Sequence, residues 1–230
     1  DVDGDGEDDW QGGANGHVFL GLEPETEYSF RARVAETQTH KVSPASDPLT
    51  VITPAKPVMG GSASIRGILQ WGETLSADLS DITYTPHTSL DNPTFQWMRG
   101  DEDILGATAD RYQLTVDDIG RVIQVRVIAD GIEADGSVLS PATAAVEKAD
   151  RDAPSTAPAL SGKTVTTVTL MSDPLLQFSR GDVDGDGSAD WQDEPGFSGL
   201  RPNTEYFFVS RFKETETHKA SPAGPELRVI

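Results

Sequence analysis

The sequence predicts an all-β chain of tandem Greek-key β-sandwiches. Three observations carry that expectation. Short apolar segments alternate in period two and are broken by turn signals every 8–12 residues or so, the pattern of sandwich strands. No amphipathic helix flanks either of the two acidic, glycine-rich loops. A block of text near the start returns near the end, about 180 residues later, so the chain is an array with a unit longer than one small domain.

Composition narrows the classes. The 230 residues are enough for two or three small domains. The formal net charge is −20 and the pI about 4.3, which argues against nucleic acid and anionic membrane surfaces as partners. There is no cysteine, so neither a disulfide framework nor thiol chemistry is available. No apolar run is long enough to span a membrane, and no stretch reads as a signal peptide.

The strongest motif occurs twice. Residues 1–11 read DVDGDGEDDWQ and residues 182–192 read DVDGDGSADWQ, both fitting D-x-D-x-D-G-x-x-D. A hard cation such as Ca²⁺ takes six to eight oxygens at about 2.3–2.6 Å. Alternating carboxylates in a tight loop supply several, and the glycine at the sixth position permits the turn. The expected ligands are the carboxylates of Asp1, Asp3, Asp5 and Asp9 with the Glu7 carbonyl. In the second copy they are Asp182, Asp184, Asp186 and Asp190 with the Ser188 carbonyl. The alternative is an acidic, glycine-rich turn with no metal, but crowding carboxylates without a cation is costly. The bidentate Glu that a helical EF-hand needs at position 12 is replaced by Gly12 and Asp193. The motif resembles instead the calcium loops set in β-hairpins of integrin α-subunit propellers, whose shell closes at position 9.

Beyond the first loop, Tyr28, Phe30, Ala32 and Val34 alternate with Glu27, Ser29, Arg31 and Arg33, predicting a half-buried antiparallel strand. A second short strand is expected over 49–52, with Pro44 and Pro48 in the connection. Of the 32 positions aligned between 21–52 and 199–230, 19 are identical. They include Glu36, Thr37, Thr39, His40 and Lys41, matched by Glu214, Thr215, Thr217, His218 and Lys219.

The run Gly-Leu-x-Pro-x-Thr-Glu-Tyr, at 21–28 and 199–206, resembles the E–F corner of fibronectin type III domains. That resemblance implies that Tyr28 and Tyr206 each cap the corner through the hydroxyl. The wider block, ending Glu-Thr-x-Thr-His-Lys-x-Ser-Pro-Ala, resembles repeats of large Gram-positive surface proteins. Residues 157–230 then form a whole domain, with early strands near Leu160, 165–170 and 175–178. The calcium loop becomes an enlarged hairpin turn after Phe178, and Trp191 leads the chain back into the sheet. Residues 1–54 match only the later half of such a domain.

Residues 55–148 carry Gly-Glu-Thr-Leu at 72–75, Phe-Gln-Trp at 95–97, Ile-Leu-Gly-Ala-Thr at 104–108 and Asp-Ile-Gly at 118–120. These resemble bacterial immunoglobulin-like surface modules and imply that Trp97 is the core tryptophan of the third strand. Ile123, Val125 and Val127 alternate with Gln124 and Arg126, as a strand with one buried face should. Residues 149–156 form a short, polar, proline-bearing linker, too stiff for a free tether. The half-domain should leave an apolar face and a sheet edge open. Either a longer tandem array or another chain completes it, and a homopolymer of mutually completing subunits is one form of the second.

No hydrolase elbow, phosphate loop or His-Glu-x-x-His is present, so no enzymatic activity is expected. His40 and His218 follow threonines in matching turns and read as turn-stabilising groups. Tyr28, Tyr206, Trp97 and Phe208 fall where the resemblance expects core, and Trp10 and Trp191 should pack beneath the acidic loops. Arg-Gly-Asp occurs at 99–101 and 180–182, and Asp182 is already an expected calcium ligand. The expected function is a calcium-stabilised structural repeat of an extracellular bacterial surface stalk, fibre or filament. Its partners are neighbouring repeats or identical chains. The alternatives are an adhesin module for host glycan or integrin and an accessory region of a secreted polysaccharide-degrading enzyme.

Overall fold

A computed structural model describes residue 10 and residues 18–86, 92–182 and 184–230. The described residues contain strands, one short 3-10 turn and no helix long and apolar enough to cross a membrane. The chain divides into two compact units. One holds the chain up to Gly61 with Thr83–Pro93 and Ala129–Ser137, and the other holds Ser62–Ile82, Thr94–Ile128 and Val138–Ile230.

The first strands are β1 (Glu27–Phe30) and β2 (Leu49–Ile52), an antiparallel pair that pairs Tyr28 with Val51. Tyr28 and Phe30 are half-buried on one face, and Phe19 lies against Phe30 with ring centroids 4.6 Å apart. Two strands cannot enclose a core. Val51 remains 42% exposed and Val34 69%.

Next come β3 (Val58–Arg66), β4 (Thr74–Thr85), β5 (Thr94–Arg99), β6 (Glu102–Asp103), β7 (Arg111–Gln113), β8 (Ile123–Ile128) and β9 (Ser137–Leu139). They form a β3–β4–β7 sheet and a β6–β5–β8–β9 sheet. Leu75 from the first and Trp97, Ile123 and Val125 from the second meet in one buried cluster with Leu114 and Val146. Trp97 is fully buried, donates from Nε1 to the Ala109 carbonyl at 2.8 Å and stacks on Tyr112. Along β8 Ile123, Val125 and Val127 are buried while Gln124, Arg126 and Ile128 alternate with them on the half-buried face.

The last strands are β10 (Leu160–Lys163), β11 (Val168–Leu170), β12 (Leu176–Ser179), β13 (Gly196–Phe197), β14 (Tyr206–Phe212) and β15 (Leu227–Val229). The chain alternates between a β10–β11–β13 sheet and a β12–β14–β15 sheet, the crossing of a Greek-key sandwich. Val168, Leu170 and Phe197 from one sheet pack on Phe178, Phe208 and Val229 from the other. The all-β, tandem-sandwich expectation holds.

Corresponding corners of the two repeats share the tyrosine hydroxyl bond and the backbone turn. The Glu23 amide donates to the Tyr28 hydroxyl at 2.8 Å, and the Arg201 amide to the Tyr206 hydroxyl at 2.9 Å. Glu25 and Asn203 occupy the left-handed region at φ 51° and 52°, and Gly21 and Gly199 do so at 74° and 70°. Glycine adopts that geometry without a Cβ penalty, and Asn tolerates it.

Residues 149–156, expected as a linker, make defined contacts with the strands that follow. Ala149 forms a parallel bridge with His218, its amide donating to the Thr217 carbonyl at 2.9 Å. The Arg151 guanidinium lies 3.8 Å from the Phe212 ring centroid. Pro154 is buried, and a Cβ on Gly224 would stand only 2.8 Å from its carbonyl oxygen.

Candidate metal centre

The second acidic loop closes an enlarged hairpin. Phe178 and Gln192 exchange both backbone hydrogen bonds, at 2.8 and 2.9 Å, so the intervening segment is pinned at its base. Inside it, Ser179 Oγ accepts from the Gly181 amide at 3.0 Å, and the Asp190 amide donates to the Gly181 carbonyl at 3.1 Å. The expected position of the loop after Phe178, with the chain returning to the sheet beside Trp191, is thus observed.

Each aspartate has a distinct environment. Asp182 accepts the Gly187 amide at 2.8 Å and the Gly185 amide at 2.6 Å, and these bonds hold its carboxyl below the usual carboxylate range. Those amides wrap the loop around the first carboxylate, and Gly185 and Gly187 take φ of 84° and 91°, which explains the glycines of the motif. Asp184 accepts the Asp186 amide at 3.1 Å. Asp186 Oδ1 takes the Ser188 hydroxyl at 2.6 Å and the Ser188 amide at 2.8 Å, which lower its carboxyl's pKa.

Asp182, Asp184 and Asp190 each offer a carboxylate oxygen, all within 4.8 Å of one another. Two oxygens on one calcium ion can be at most twice the bond length apart, about 4.6–5.2 Å. The trio fits that limit, and hard carboxylate oxygens suit a hard cation. Asp186 stands outside the trio, its Oδ1 turned to Ser188. The Ser188 carbonyl accepts no hydrogen bond among the described residues. Of the first loop, Asp1, Asp3, Asp5, Glu7 and Asp9 all lie outside the described residues.

The tryptophans after the loops have the same neighbour in each repeat. Arg33 lies over Trp10 at 3.8 Å and Arg211 over Trp191 at 4.3 Å, measured to the ring centroid. Burial lowers the Arg211 pKa, opposed by the charge of Glu214. Arg211 Nε also donates to Gln177 Oε1 at 3.0 Å, so the loop-end tryptophan is tied to β12.

Two groups escaped the sequence reading. The first is a polar cluster around Asp118, which is fully buried and accepts from the Thr115 amide, the Tyr112 hydroxyl and Arg99 Nε at 2.7, 2.8 and 2.8 Å. Arg99 of the first Arg-Gly-Asp is therefore engaged within the fold. A Thr-x-x-Asp spacing at 115–118 is a capping-box variant and was the available signal. The second is the pairing of Trp71 with His218, ring centroids 5.1 Å apart, for which the sequence carries no signal.

No protein-family model matches the chain, and no curated protein matches it. Among solved structures, the crystal structure of chicken CNTN1 FN1-FN3 domains is similar at 18% identity. The match covers 91% of this chain and 78% of that one, with a TM-score of 0.25. At that score the two chains do not superpose as a whole, and the fold described above stands on its own strands and cores.

Proposed function

We propose that the chain is a calcium-stabilised structural module of an extracellular bacterial surface stalk, fibre or filament. The observation that supports this most is the convergence of Asp182, Asp184 and Asp190 in a loop pinned at its base by Phe178 and Gln192. A cation there neutralises crowded carboxylates and holds shut a loop that otherwise costs conformational entropy to order. Binding to the folded form alone raises stability by mass action, about 2.7 kcal/mol at 100 times Kd. The bound linker after residue 148 supports the same reading, since a fixed junction transmits extension better than a free tether.

Stiffened repeats that set reach and resist proteolysis need no catalytic group. An integrin-binding reading of residues 99–101 draws less support, because Arg99 Nε is committed to buried Asp118. Thermal melts with calcium and with excess chelator test the proposal. A melting temperature indifferent to both would remove its basis.

A further inference from the structure

The motif Glu-Thr-x-Thr-His-Lys is present at 36–41 and at 214–219. Within each copy the turn is built alike. The amide of Thr37 donates to the His40 carbonyl at 2.9 Å, and that of Thr215 to the His218 carbonyl at 2.9 Å. The threonine before each histidine bonds its Nδ1, at 2.9 Å for Thr39 and 3.0 Å for Thr217. These bonds account for the threonines and the histidine. They do not account for the glutamate and the lysine at the ends.

In the second copy both ends reach the trailing end of the immunoglobulin-like module. Glu214 pairs with Lys148 at 2.6 Å, and Lys219 pairs with Glu147 and, at 3.2 Å, with Asp150. The Lys219 amide donates to the Ala149 carbonyl at 3.0 Å, and Trp71 packs edge-on against His218. In the first copy Glu36 and Lys41 take part in no ion pair among the described residues, and positions 36–41 are exposed throughout. Val34, which stands where Phe212 receives Arg151, is 69% exposed.

We propose that the 36–41 loop is a docking surface for the trailing end of another immunoglobulin-like module. That module carries the chemistry of Trp71 and of residues 147–151: an acid and a base in sequence, a small residue whose backbone bridges the loop, and an indole for His40. The charges match by identity, Glu36 to a lysine like Lys148 and Lys41 to acids like Glu147 and Asp150. Besides Val34 for Phe212, the copies differ at the position of Gly224, where the first has Ser46. Ser46 puts a side chain where Gly224 admits Pro154, so the docked segment parts from the surface beyond the equivalent of residue 151.

The proposal rests on the tandem structural reading above, but it uses no residue of the acidic loop. It is tested in the full chain by freeing the 147–151 segment from its own loop with Glu214→Lys and Lys219→Glu. Sedimentation velocity and the His40 ring signals in NMR are then followed to about 1 mM, the effective concentration that a short tether supplies in cis. Trp71 indole signals report that the segment has been freed. Expected is head-to-tail association with a concentration-dependent shift at His40, weakened at least about tenfold by adding Glu36→Lys and Lys41→Glu. Should the reversal impair folding, Lys219→Ala frees the same segment more mildly. Unmoved His40 signals with Trp71 released would overturn the proposal, as would association that ignores the 36–41 charges. The calcium melt reports separately on the aspartate loop, so either reading can fail alone.

Discussion

Arg99 Nε donates to Asp118 Oδ1 at 2.8 Å, with the aspartate wholly out of solvent and the arginine side chain 28% exposed. Removing one partner of such a pair strands the other charge in the interior, which costs on the order of 3–5 kcal/mol. Arg99→Ala and Asp118→Ala should each lower stability by about that amount, read by urea denaturation. Losses below about 1 kcal/mol would show that the pair is not what secures this module.

The same carboxylate sets an acid sensitivity. Burial alone would raise the Asp118 pKa, but hydrogen bonds from the Thr115 amide, Tyr112 and Arg99 outweigh it and hold the carboxyl below its ordinary 3.8. A depressed folded pKa means the stabilisation is complete above 3.8 and is lost as pH falls through the lower folded value. Stability measured from pH 6 down to about pH 2 should therefore fall steeply at the acid end. Asp118→Asn, which cannot ionise, should flatten that fall. An unchanged profile would exclude Asp118 as its source.

The corner tyrosine hydroxyl accepts one amide in each repeat among the described residues, that of Glu23 or Arg201. Tyr206→Phe should cost about 0.5–1.5 kcal/mol, the usual net value of one hydrogen bond. Equilibrium melting of the variant decides it, and an unaffected Tm would mean water replaces the bond without loss.

Ser210 Oγ is buried with no hydrogen-bond partner among the described residues. An unmade buried bond carries a desolvation penalty, so Ser210→Ala should be stabilising by about 1 kcal/mol. The first repeat already has Ala32 at that position. A destabilised variant would point to an ordered water at Oγ.

Calcium titration separates the aspartates by their geometry. Asp184→Asn and Asp190→Asn remove members of the converging trio and should abolish the calcium-dependent rise in Tm. Asp186→Asn, whose Oδ1 is turned to Ser188, should retain part of it. Isothermal calorimetry on the three variants would reverse this ranking if Asp186 is the tighter ligand.

Local features could be read from the residues alone. Period-two alternation marked β8 and the inward set Ile123, Val125 and Val127, because successive side chains of a strand face opposite ways. Glycines at fixed offsets marked the acidic loop, and a repeated corner motif marked Tyr28 and Tyr206, because turn geometry is encoded within a few residues.

Which distant groups meet is settled by packing. Three acidic oxygens converge while Asp186 turns aside, a choice made by the Ser188 hydroxyl and the loop's backbone path. Arg99 looked available in an Arg-Gly-Asp and is instead spent on Asp118, 19 positions away. Trp71 meets His218 across 147 positions of chain, and the 147–151 segment clasps one copy of a loop whose twin is exposed among the described residues. Such pairings depend on how strands stack and where a linker lies down, which no local pattern of residues records.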